Sequence, residues 1–87
     1  MLKKVLIVED EPNAVQQLKR LLKNFIELEI VAVHDTVKET ITFLQENHNL
    51  DLIFMDIQLA DGISFEIFEK VKVNVPVIFT TAFNEYA

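Results

Sequence analysis

An α/β fold, a doubly wound parallel sheet, is what three features of this sequence predict. Short β-branched runs alternate with stretches of helical apolar periodicity. Those runs are continuous rather than alternating, as in strands buried on both faces. Half of the 87 residues are apolar and a quarter charged, a balance that supports one packed core and lies outside the disordered regime.

The first strand is read at Lys4 to Val8, an aliphatic run that stops at Glu9 and Asp10. Pro12 then stands where the first turn of a helix tolerates it, and Val15, Leu18, Leu21, Leu22 and Phe25 make an apolar stripe through about Asn24. Leu28 to Val33 is a second strand. Thr36 with Glu39 three residues on has the form of a capping box, opening a helix whose inner side is Val37, Ile41 and Leu44 and which fades near Asn47 to Asn49. Leu50 to Met55 is a third strand, ending on Asp56. Gln58 to Gly62 reads as a loop, with Gly62 as a turn residue of positive φ and Asp61 as turn partner or helix cap. Ile63, Ile67, Phe68 and Val71 predict a third helix, Val77 to Thr80 a fourth strand, and Phe83 to Ala87 the first turn of a further helix. No repeat, linker or low-complexity segment argues for a second domain, so residues 1–87 read as one domain.

Charge and composition narrow the function. The formal charge of -6, with no basic run longer than Lys3-Lys4, argues against a nucleic-acid surface, so any DNA contact belongs to another domain. There is no cysteine for thiolate chemistry or disulfides. The run Val5 to Val8 is too short for a signal core or a membrane span, and a soluble cytoplasmic protein is expected.

In an open parallel sheet the ligand crevice lies beyond the carboxyl ends of the strands, where the strand order reverses. If the first strand lies beside the third, the order is 2-1-3-4, and Glu9, Asp10 and Asp56 converge there. Three carboxylates in one cleft repel unless a cation sits among them. Mg2+ suits hard oxygen donors supplied by one or two carboxylates, and Ca2+ suits so few ligands less well. With a metal present, Asp56 can attack phosphorus as a nucleophile and yield an aspartyl phosphate.

VEDEP at Val8 to Pro12, FMDIQLADG at Phe54 to Gly62 and PVIFTTA at Pro76 to Ala82 resemble, in order and spacing, the signature segments of response-regulator receiver domains of two-component systems. The resemblance covers essentially the whole chain. It implies a CheY-like, flavodoxin-like fold in which Asp56 is the phosphoacceptor, Asp10 touches Mg2+ directly and Glu9 acts mainly through water. It further implies that the backbone carbonyl of Gln58 completes the metal's protein ligands, that the Thr81 hydroxyl bonds the phosphoryl group, and that the Ala82 amide holds the same oxygens. The implied donor is a histidine kinase or phosphotransfer protein. The tail FTTAFNEYA is similar to receivers that precede LytTR-type DNA-binding domains, which implies transcription regulation through an effector domain not in this chain. The family's fifth strand, last helix, phosphate-pairing lysine and aromatic switch residue have no counterpart before Ala87. A shortened domain of weak stability, domain-swapped or associated as a receiver dimer, is the expectation that follows.

Blander readings compete. A lone Asp at a strand end is usually a turn residue or cap, and Glu9 with Asp10 could simply favour the helix after Pro12. His34 and His48 read as surface positions, because neither has a second ligand at metal spacing. Phe43, Phe65 and Phe68 are core by pattern or partly exposed for partner contact. A Mg2+-dependent aspartyl-phosphate phosphatase usually has a second Asp two residues after its nucleophile, where this chain has Gln58. A nucleotide-binding domain lacks its glycine-rich loop, since the sequence holds one glycine. A receiver-like binding module without the chemistry would bind no metal.

Overall fold

The computed structural model describes residues 1–46 and 48–80. Within them, nine elements follow in order: β1 (Lys3–Val8), α1 (Pro12–Leu22), β2 (Leu28–His34), α2 (Val37–Gln45), β3 (Leu52–Met55), the two-residue strands β4 (Gln58–Leu59) and β5 (Gly62–Ile63), α3 (Phe65–Lys70) and β6 (Val77–Phe79). The main sheet runs β2-β1-β3-β6 with every pairing parallel, so the expected order 2-1-3-4 is observed, β6 being its fourth strand.

β1 holds the centre because its side chains are apolar on both faces. Leu6 and Val8 join Ile53 and Met55 of β3, Val37 of α2, Leu59 of β4 and Ile67 of α3 in one core. Val5 and Ile7 point the other way and pack with Leu22 of α1 and, less deeply, Leu18, Val33 and Phe54. All four central β1 side chains are fully buried, each contributing on the order of 1.5–3 kcal/mol. Among the described residues, one helix thus covers one face and two cover the other.

Several boundaries differ from the periodicity. α1 ends at Leu22, because the next amides fold back on nearer carbonyls, Asn24 N–H to Leu21 and Phe25 N–H to Leu22. Phe25 therefore leaves the stripe and is exposed, as is Leu21. β3 begins at Leu52 rather than Leu50, since Asp51 exchanges bonds with Lys4: its N–H donates to the Lys4 carbonyl and its carboxylate accepts the Lys4 N–H, each at 2.8 Å. The third helix is only six residues long. Ile63 belongs to the antiparallel hairpin β4-β5 that replaces the expected loop, and of the expected stripe only Ile67 is deeply buried.

Gly62 has φ of +152°, the positive value expected of it. Among the described residues β6 pairs only with β3, leaving Ile78 48% and Phe79 42% exposed. Phe79 still meets the rings of Phe65 and Phe68 edge to face, with centroids 5.6 and 6.4 Å away. The expected helical turn at Phe83 to Ala87 lies outside the described residues.

His34 corrects the sequence reading. It is the last residue of β2 and half-buried, not a surface loop residue, because its ring leans on Phe43 at 4.8 Å. His48, exposed, stacks on the same Phe43 ring at 3.8 Å. Each histidine faces a glutamate, Glu39 at 3.9 Å and Glu46 at 3.0 Å, and neither belongs to a metal-competent cluster among the described residues.

Candidate functional site: three carboxylates at the strand ends

Parallel pairing brings the site together. Val8 lies opposite Met55, so the chain leaves β1 and β3 at the same level of the sheet. The Asp56 N–H donates to the Val8 carbonyl at 2.9 Å, and the Glu9 N–H to the His34 carbonyl at 3.0 Å. These two bonds hold the acids at the crevice between β1 and β3. Carboxylate oxygens of Glu9, Asp10 and Asp56 lie within 4.8 Å of one another.

The three environments are graded. Asp10 is exposed, Asp56 intermediate and Glu9 buried at 6% exposure. Burial raises the Glu9 pKa from 4.5 to about 7, opposed by the Glu11 N–H that donates to its carboxylate at 3.1 Å and reinforced by the nearby charge of Asp56. Such a set of hard oxygen donors, crowded by mutual repulsion, fits a small divalent cation. These same three residues would surround the ion, and ionising Glu9 is what a cation would make easier.

Gln58 stands two residues beyond Asp56 as the first residue of β4, exposed, its side-chain amide donating to the Leu59 carbonyl at 3.4 Å. Thr81 and Ala82 lie outside the described residues. Thr80, just before them, is tied to the sheet by its N–H, which donates to the Met55 carbonyl at 2.9 Å. The strand that leads to Thr81 thus ends beside the residue that precedes Asp56.

The structure specifies two capping roles that the sequence reading left open. α1 is capped by Glu11, whose carboxylate accepts the Asn13 N–H. Asp61 is a helix cap, but of α2: it accepts from the Val37 N–H at 2.6 Å and the Lys38 N–H at 3.1 Å, and these bonds lower its pKa. Thr36 caps the amide of Glu39 at 3.0 Å, as its spacing predicts. No local spacing could reveal the partners of Asp61, which are 24 and 23 residues away.

Comparison with known proteins agrees with this geometry. Residues 5–87 match the response regulator receiver domain family. Among curated proteins, the sensory transduction protein LytT of Bacillus anthracis is 40% identical over 97% of this chain. The transcriptional regulatory protein LytR of Staphylococcus aureus strain N315 is 37% identical over the same share. The chain spans 35% of the length of both. Among solved structures, the response regulatory domain of protein mrkE from Klebsiella pneumoniae superposes with a TM-score of 0.80 at 34% identity, over 95% of this chain and 70% of that one. The MaeR response regulator bound to beryllium trifluoride gives 0.82 at 26% identity, over 97% of this chain and 70% of that one. With the strand order, the acid cluster and the family match in agreement, this chain belongs to the response regulator receiver domain family.

Proposed function

We propose that the domain is a phosphoacceptor switch in which Asp56 takes a phosphoryl group from a histidine kinase or phosphotransfer protein, with Mg2+ bound. A carboxylate oxygen of Asp56 forms the new bond to phosphorus as the bond from phosphorus to the donor's imidazole nitrogen breaks, the electron pair leaving on that nitrogen. Asp10 and Asp56 would hold the metal directly, Glu9 through water, and Gln58 by its backbone carbonyl. When bound, the ion neutralises charge on the transferring group. Thr81 and the Ala82 amide are assigned to the phosphoryl oxygens.

The observation that carries this reading is the convergence of three carboxylates from the ends of two strands 46 positions apart, Asp10 against Asp56, in one crevice. MaeR, which resembles this chain, is seen with beryllium trifluoride, a group whose tetrahedral form when oxygen-bound resembles phosphoryl. The output we assign is transcription regulation through a LytTR-type DNA-binding domain in the longer protein, in keeping with the names of the relatives. The switch is assigned to the cytoplasm, as the receiver family implies; no helix among the described residues is long and apolar enough to cross a membrane. Association of two copies, by receiver pairing or domain swapping, belongs to the same proposal; among the described residues Ile78 and Phe79 of β6 are exposed.

Mass spectrometry after incubation with acetyl phosphate and Mg2+ tests the chemistry. An adduct of phosphoryl mass is expected on the wild type and lost both with chelator and in Asp56→Asn. An adduct that persists in Asp56→Asn would refute the assignment, and no adduct on a chain extended through the fifth strand would favour a silent binding module.

A further inference from the structure

Asp61 performs a task that a simple helix cap does not require. It sits in the two-residue connection of the β4-β5 hairpin, whose first strand begins just two residues after Asp56. Its two carboxylate oxygens divide between the first two amides of α2, Val37 at 2.6 Å and Lys38 at 3.1 Å. Three residues before Val37, the carbonyl of His34 accepts the Glu9 N–H at 3.0 Å. The short segment from His34 to Lys38 therefore grips both halves of the acid cluster: Glu9 directly, and the chain beyond Asp56 by way of Asp61.

Beyond its own two-residue pairing, the hairpin is anchored at its base by the Ser64 N–H, which donates to the Ile57 carbonyl at 2.8 Å, and by buried Leu59 in the core. Asp61 adds the anchor at its tip. We propose that Asp61 is a positioning residue for the metal and phosphoryl site, fixing the hairpin that follows Asp56 against the β2-α2 junction so that the acids and the Gln58 carbonyl keep one geometry. The inference rests on the receiver reading above. Outer partners that orient metal ligands are typically worth about 10-fold or more in metal affinity.

A natural control separates positioning from mere helix stability. Thr36 caps the same helix end through the Glu39 N–H, a bond that does not involve the hairpin. Mg2+ affinity of the full chain should be measured by calorimetry for the wild type, Asp61→Ala, Asp61→Asn and Thr36→Ala, together with thermal unfolding of each. Asp61→Ala is expected to weaken Mg2+ about 10-fold, Asp61→Asn by less because one acceptor oxygen remains, and Thr36→Ala by under about 2-fold despite a similar loss of thermal stability. Equal weakening in Asp61→Ala and Thr36→Ala, or none in either Asp61 variant, would overturn the inference while leaving the receiver chemistry standing. A wild type that binds no Mg2+ would overturn both. If Asp61→Ala does not fold, Asp61→Asn against Thr36→Ala decides the matter by the same comparison.

Discussion

Glu9 is a carboxyl group among the ends of apolar strands, where ionising it costs more than in water. Its pKa of about 7 in the folded, metal-free protein stands above the 4.5 of an ordinary glutamate. Between these values the folded state binds more protons than the unfolded chain, so the stability this group contributes is fully present below about 4.5 and is lost as pH rises toward 7. Melting temperature measured across that window should fall without metal and do so much less in Glu9→Gln. Mg2+ should restore more stability at pH 7.5 than at pH 5, because the cation favours the ionised carboxylates. A metal-free melting curve independent of pH over that range would contradict this account of Glu9.

At the scale of elements, the hairpin β4-β5 shows how one residue licenses a turn. A Cβ at Gly62 would meet Oε2 of Glu66 at 2.9 Å, a flexible end that can swing away, so the larger obstacle is the backbone at φ +152°. Gly62→Ala should therefore cost about 1–3 kcal/mol in chemical denaturation, whereas a wild-type midpoint would mean that the hairpin relaxes at little cost. α2 is defined by its caps: Thr36 takes the Glu39 amide and Asp61 the two before it. The first of these was legible, because the capping partner lies three residues away. The second was not, because the chain must fold before Asp61 reaches Val37. Similarly, the stripe of α1 was readable as helix, yet whether it continued to Phe25 depended on backbone bonds after Leu22 that periodicity does not encode.

Over the whole molecule, the two faces of the sheet are unequally covered. One face carries α2 and α3, the other α1 alone among the described residues, and Leu21, Phe25 and Ile78 remain substantially exposed. Exposed apolar surface beside a strand edge that is unpaired among the described residues favours association. Sedimentation of the 87-residue chain should show mass rising with concentration, and Ile78→Lys should reduce it. A monomer at every concentration in the wild type would remove the proposal of pairing through β6. Met55→Ala, fully buried in the core shared by β1, α2 and α3, should cost about 2–5 kcal/mol and leave the acid cluster's residues intact. The sequence alone determined the alternation of strands and helices, the acids that end β1 and β3, and the motifs that mark a receiver, because each of these is encoded by local pattern or spacing. Only the tertiary structure decided the 4.8 Å convergence of those acids, the raised pKa of Glu9 and the reach of Asp61 to α2, since each depends on distances and burial between residues far apart in the chain.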